Sequence, residues 1–321
     1  QRKHPQHWEN AAAIRVLTLD AIAAANSGHS GMPMGMADIA TVLFFNHLKF
    51  DPKSPLWPDR DRLILSAGHG SMLLYSLLYL TGYEDFPLEE IKNFRQLGAR
   101  TAGHPENFLS DAIETTTGPL GQGIANSVGF AIAEEIQRAR FGRNIVDHYT
   151  YVFAGDGCLM EGVSQEAIAI AGRQRLSKLI VFWDNNNITI DGKVELSDKT
   201  DQVERFKSSK WHVLEIDGHN PTEINNAIIE AKKNNKPTMI ACKTHIAIGS
   251  SAQDTPKGHG ALTDNKLIAE TKKIYGCSQE KFYVPPTVKK QWEEIGQKGQ
   301  REKLFWEKRF ASLSSKRRSE F

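Results

Sequence analysis

Cysteine is scarce: Cys158, Cys242 and Cys277 are the only three in 321 residues, well separated and without a CxxC pair. That leaves no basis for a disulfide framework or a thiolate zinc site, and it fits a reducing compartment. Neither sign of charge dominates. The 40 basic and 38 acidic residues leave a net +2, so no global field argues for nucleic acid as a partner. No apolar run approaches the ~20 residues of a membrane span. The opening Gln1-Arg2-Lys3-His4-Pro5-Gln6-His7 lacks the apolar core of a signal peptide. Together these absences predict a cytoplasmic protein without a membrane or nucleic-acid role. What remains, 40% hydrophobic and 24% charged residues, is the composition of an ordinary globular domain.

The middle of the chain carries the organisation. Tyr149 to Phe153, Leu179 to Trp183, Trp211 to Ile216 and Thr238 to Cys242 are rich in β-branched and aromatic residues and read as strands. Glu161 to Ala171, Gln202 to Ser208 and Pro221 to Lys233 read as helices between them. Strands alternating with helices predict an α/β fold with a mainly parallel sheet flanked by helices. Upstream, a helix is predicted from Ala11 to Asn26 with Asn10 as N-cap, and a second from Met34 to about Leu48. A short strand, Leu63 to Leu65, precedes Ser66-Ala67-Gly68-His69-Gly70 and a helix from Ser71 to Leu80. Residues 1–280 are expected to form one domain. From Lys281 onward, 11 basic and 5 acidic residues interleave with Trp292, Leu304, Phe305, Trp306 and Phe310. That pattern predicts an amphipathic extension or linker over 281–321, with Lys316 to Phe321 a disordered end.

Gly155-Asp156-Gly157 directly follows one predicted strand, and Asp184-Asn185-Asn186-Asn187 follows the next. Ligands of parallel sheets sit beyond the carboxyl ends of strands, so both motifs lie at the ligand edge. A hard cation such as Mg²⁺ takes oxygen ligands and shares its shell with phosphate oxygens. One carboxylate, one amide oxygen and a backbone carbonyl would hold it and leave positions open for a diphosphate. Gly-Asp-Gly alone is also a good turn, and an Asn run can form an Asx-turn. Their pairing at adjacent strand ends favours the cation. Thr117-Gly118-Pro119-Leu120-Gly121-Gln122-Gly123 opens a further helix, running to about Arg140, and its three glycines would let a ligand approach the backbone. His29, His69, His104 and His259 recur in glycine-flanked settings. Imidazoles there could exchange protons and bond sugar hydroxyls. His47, His148, His212, His219 and His245 have no such context and receive no role.

Taken in order, Asn26-Ser27-Gly28-His29, Ser66 to Gly70, Gly103-His104-Pro105-Glu106, Thr117 to Gly123, Gly155 to Glu161 and Ile188 to Gly192 resemble the motifs of transketolases, over roughly residues 9 to 265. The resemblance is to the family's first domain, which binds the diphosphate of thiamine diphosphate. It implies that Asp156, Asn186 and the Ile188 carbonyl bind the metal, Mg²⁺ or another divalent ion such as Ca²⁺. His69, Gly157 and His259 would contact the diphosphate, Ile190 the thiazolium ring, and the backbone of Gly118 and Leu120 the aminopyrimidine. His29, His104 and His259 would line the sugar channel as catalytic residues. Glu161 and Glu166 resemble carboxylates that couple two sites across a dimer, although ordinary helix-surface acids read the same way.

Three departures stand out. Ser30 replaces a frequent proline, and His259-Gly260-Ala261-Leu262 lacks the proline that commonly follows Gly-Ala. The third is larger: the glutamate that activates the cofactor, the aromatic pyrimidine pocket and the arginines for the sugar phosphate belong to a following domain in that family. The expectation is therefore half of a ketol-transferring active site, inactive alone. It would be completed by a pyrimidine-binding domain or subunit, work on sugar phosphates, and assemble as a homodimer or heteromer. Rival readings are another thiamine diphosphate enzyme, such as deoxyxylulose phosphate synthase or a 2-oxo acid dehydrogenase subunit, and a non-catalytic cofactor-binding or assembly subunit. Gly103-His104-Pro105-Glu106 and Ser27-Gly28-His29 favour transketolase over the former, and intact Asp156, Asn186, His69 and His259 speak against the latter.

Overall fold

The computed structural model describes residues 3–321. Strands β1 (Arg62–Leu65), β2 (Thr150–Gly155), β3 (Leu179–Asn185), β4 (His212–Asp217) and β5 (Thr238–Lys243) form one sheet in the order β1-β2-β3-β5-β4. Every neighbouring pair is parallel. The three central strands, β2, β3 and β5, are buried along nearly their whole length. Continuous apolar runs such as Leu179-Ile180-Val181-Phe182-Trp183 suit a sheet covered on both faces. Strand β4 lies at the edge and stays partly exposed, which explains Glu215 within it.

Helices cover both faces and supply the crossovers that parallel pairing requires. Helix Gln122–Phe141 packs on β2, and Pro221–Lys233 packs on β4. Register then fixes the functional edge. Gly155 on β2 sits opposite Asp184 on β3, and Asp184 sits opposite Cys242 on β5. The strands therefore end level, and the residues that follow them emerge side by side.

Helix ends agree with the sequence where a side-chain cap is made. Asn220 Oδ1 accepts from Thr222 N and Glu223 N, and Pro221 starts the helix as its fixed φ allows. The first helix departs from expectation. It runs from Pro5 to Ala25, so Asn10 is an interior residue rather than the N-cap, buried at 2% exposure. Pro5 seeds the helix earlier, and the Trp8 ring then packs edge-on to Tyr275 at 5.8 Å. The second helix likewise starts at Gly31 rather than Met34, with Pro33 inside its first turn, where proline loses no hydrogen bond.

The C-terminal segment lies against the body. Helix Pro286–Ala311 buries Trp292 completely, with its ring 4.8 Å from Phe45 and 6.2 Å from Phe44. Residues 316–321 were expected to be disordered, but Ser315–Glu320 is a short helix capped by Ser314. Phe321 closes on Phe141 and Phe310, with centroids 5.0 and 5.1 Å apart. The alternation of basic and polar residues conceals this because the aromatic partners come from two other helices, Gln122–Phe141 and Pro286–Ala311. Among the described residues, no helix is long and apolar enough to cross a membrane.

Candidate active site

The edge where β2 and β3 end opens into a cavity of about 420 Å³. The structure brings every candidate metal, cofactor and catalytic residue to its wall: His29, His69, His104, Gly118, Leu120, Asp156, Gly157, Asn186, Ile188, Ile190 and His259. Their sequence positions span most of the chain, so this convergence is a property of the fold.

Asp156 begins a short helix, Asp156–Met160, directly after β2. Its Oδ1 accepts from the Trp183 indole at 3.0 Å. Burial, and then Asp184 nearby, push the Asp156 carboxyl up to about 7. Burial also raises Asp184 to about 6, against the pull of its bonds from Thr244 and Asn186. Two buried acids neighbour each other here, and a cation beside them would favour their ionised forms. Asn186 completes the corner. Its Nδ2 donates to Asp184 Oδ2 at 3.0 Å, while its Oδ1 accepts from Ile188 N at 2.9 Å. The Asx-turn thus falls on Asn186 itself, and the second lone pair of its oxygen remains available. Asn187 takes a left-handed φ of 62°, which turns the chain so that Ile188 reaches the cavity.

Three imidazoles cluster in the lining of the same cavity. The His29 and His69 centroids lie 5.0 Å apart, His29 and His259 5.5 Å, and His69 and His259 5.2 Å. Burial, and next the neighbouring His259, lower His29 to about 4 and His69 to about 3. Burial also lowers His259, while burial and then Arg95 lower His104. All four are neutral at neutral pH, so each can donate one hydrogen bond and accept another. His29 Nδ1 is buried without a partner among the described residues. A hydroxyl or phosphate oxygen placed there would satisfy it.

The glycines of the Thr117–Gly123 stretch divide by role, which corrects the reading that all three admit a ligand. Only Gly118 faces the cavity. A side chain on Gly121 would meet Glu161 Cβ at 2.7 Å, and one on Gly123 would meet Ser66 Cα at 2.5 Å, so those two serve packing. Ile190 is 66% exposed at the rim, leaving an apolar face for a ring to cover. Glu161 and Glu166 are both exposed outside this wall. Sequence reasoning placed Asp184 at the ligand edge without a role and missed Met32 and Ile246; all three line the cavity. Asp184 carried a signal, a charged residue closing an apolar strand, which the Asn run beside it masked.

The family model described as transketolase, thiamine diphosphate binding domain, matches residues 6–320. The chain belongs to that family. It is 58% identical over 320 residues to a transketolase of Rhodobacter capsulatus, covering 99% of this chain and 48% of that protein. It is 50% identical over 312 residues to transketolase 1 of Escherichia coli, covering 95% of this chain and 47% of that protein. The chain thus spans about half the length of the curated relatives it matches. Among solved structures, a transketolase of Campylobacter jejuni superposes with a TM-score of 0.94 at 42% identity, over 97% of this chain and 49% of that one. A Pichia stipitis transketolase in complex with sedoheptulose-7-phosphate gives 0.93 at 45% identity, over 96% and 46%. The family's parallel α/β architecture is therefore this chain's fold.

Proposed function

We propose that this chain supplies the metal- and diphosphate-binding half of a transketolase active site. The whole protein would transfer a two-carbon ketol unit from a ketose phosphate to an aldose phosphate. The observation that carries the reading is the corner made by Asp156, Asn186 and the turn at Ile188, which shares one cavity with the histidine cluster. Mg²⁺, or Ca²⁺ in its place, is assigned to the Asp156 carboxylate, the Asn186 amide oxygen and the Ile188 carbonyl, all hard oxygen donors. His69, Gly157 and His259 are assigned to the diphosphate, Gly118 and Leu120 to the aminopyrimidine through their backbone, and Ile190 to the thiazolium face.

Thiamine diphosphate, when bound, supplies the electron sink for cleaving a bond beside a carbonyl. The residues of this chain bind, orient and move protons. His29, His104 and His259, neutral near pH 7, can accept a proton from one sugar hydroxyl and return it to another. A diphosphate beside His69 and His259 would raise both from their depressed values, since an anion favours the imidazolium. The glutamate and arginines that complete the chemistry are assigned to a further domain or subunit. Residues 1–280 are proposed as the cofactor domain and 281–321 as an extension laid along it. Pairing of two copies, or of this chain with its complement, is proposed to complete the assembly, which is assigned to the pentose phosphate pathway in the cytoplasm.

The experiment is cofactor binding by the complete protein. Thiamine diphosphate should bind only with Mg²⁺ present. Asp156→Ala should weaken uptake by more than about a hundredfold, the upper end of what changes around a metal's outer shell cost. Unchanged binding in Asp156→Ala would remove that residue from the metal site.

A further inference from the structure

His219 stands outside the contacts assigned above, yet both of its ring nitrogens are bonded. Nδ1 lies 2.7 Å from Asp38 Oδ2, and Nε2 lies 3.0 Å from the backbone nitrogen of His245. An amide can only donate, so Nε2 accepts and the ring proton sits on Nδ1, given to Asp38. The protein therefore fixes one tautomer of a neutral ring. Asp38 is an immobile base for it. Arg15 Nη2 approaches Asp38 Oδ2 to 2.5 Å, His7 Nε2 approaches Oδ1 to 2.8 Å, and Arg15 Nε donates to Met34 O at 2.9 Å. Asp38 and Arg15 are both buried.

The segment that His219 grips forms the back of the cation corner. The Thr244 hydroxyl donates to Asp184 Oδ1, and Asp184 Oδ2 takes the Asn186 amide. Gly218 presses the loop after β4 onto the end of β5. A side chain there would lie 2.7 Å from Thr244 Cγ2 and 2.9 Å from Lys243 O. Because β4, β5 and β3 are neighbours in the sheet, these contacts run across three adjacent strand ends. They pass from His219, through Thr244 and His245, to Asp184 and Asn186.

We propose that His219 is a positioning residue for the cation site. Anchored on Asp38, it holds the His245 amide and so keeps Thr244 on Asp184, which turns the Asn186 amide so that its oxygen faces the cation. This inference rests on the cofactor reading above and extends it to a residue that touches neither cofactor nor metal. The ring's two duties can be separated by substitution. Asparagine places its amide near Nδ1 and keeps a donor toward Asp38, whereas glutamine places its amide near Nε2 and keeps an acceptor toward His245.

The test is a Mg²⁺ titration of the complete protein at saturating thiamine diphosphate. It is read by tryptophan fluorescence, since the Trp183 indole donates to Asp156. Outer partners of a metal site typically contribute 10–100-fold to affinity. His219→Ala and His219→Asn should each weaken Mg²⁺ by about tenfold or more on that scale, and His219→Gln should recover most of the loss. The Asn variant should keep the thermal midpoint of the metal-free protein, which separates positioning from folding. Wild-type Mg²⁺ affinity in His219→Ala would overturn the inference, as would a Gln variant as impaired as the Asn variant. A wild-type protein that takes up neither Mg²⁺ nor cofactor would instead bring down the cofactor reading, and this inference with it.

Discussion

Asp156 and Asp184 set the pH behaviour of the site. Their folded values, about 7 and about 6, stand above the ordinary 3.8. A raised carboxyl contributes stability that is full below about 4 and is lost as pH rises through 6 to 7. Mg²⁺, proposed to bind Asp156, would need the ionised form and so displace the proton over the same window. Mg²⁺ affinity should therefore climb by up to about tenfold between pH 6 and 7 and level off above, with proton release on binding near pH 7. Calorimetry in buffers of different ionisation enthalpy would measure both, and a flat affinity from pH 6 to 8 would take Asp156 out of the site. The histidines act in the opposite direction. Their folded values lie below the ordinary 6.5, near 4 for His29 and near 3 for His69. The stability they contribute is present above pH 6.5 and lost as pH falls through those values. His29→Asn should shallow the acid limb of a pH-dependent denaturation series. These residues were legible because strand-end motifs and glycine-flanked histidines mark themselves locally. Asp184 and His219 were not, because their partners, Thr244, Asp38 and the His245 amide, come from other elements.

Close backbone approaches decide where the elements lock together. In helix Pro286–Ala311 a side chain on Gly299 would fall 1.5 Å from Phe50 O, and one on Gly296 would fall 2.5 Å from Thr81 O. A backbone carbonyl cannot swing aside as a flexible side chain can, so Gly299→Ala should lower stability by about 1–3 kcal/mol or more. Denaturant unfolding of the complete protein would show it, and an unchanged midpoint would mean that the helix is free to move off. Trp292→Ala, which empties a fully buried aromatic site, should lower stability by about 3–5 kcal/mol. The sequence placed the helices at Gln202–Ser208 and Pro221–Lys233 correctly because Asp201 and Asn220 cap them through their own side chains. It misplaced the start of the first helix because Pro5 begins it earlier, and Asn10, an equally good cap by type, lies buried in its interior. Periodicity alone also could not show which face of helix Pro286–Ala311 would be covered.

The chain spans about half the length of the transketolases it matches. Ile136 and Ile170, on the adjacent helices Gln122–Phe141 and Gly162–Gln174, are 53% and 46% exposed. If pairing of copies or complements covers this face, Ile170→Lys should shift the complete protein toward its monomer in sedimentation equilibrium. An unshifted distribution would place the interface elsewhere. Cofactor and cation together should raise the thermal midpoint, because a ligand that binds only the folded state contributes about 2.7 kcal/mol at a hundredfold excess over Kd.

The sequence by itself determined the α/β class, the parallel sheet, the resemblance to transketolases and the residue types at the functional edge. Each of these depends on a local pattern: a β-rich run, a glycine turn, an acid or amide at a strand end. Only the tertiary structure decided that Asp184 lies beside Asp156 in the cavity lining, that Gly118 alone of three glycines faces the cavity, and that His219 is bonded through both nitrogens. These are contacts between elements tens to hundreds of residues apart, set by strand order and register, and strand order has no signature within any one stretch of chain.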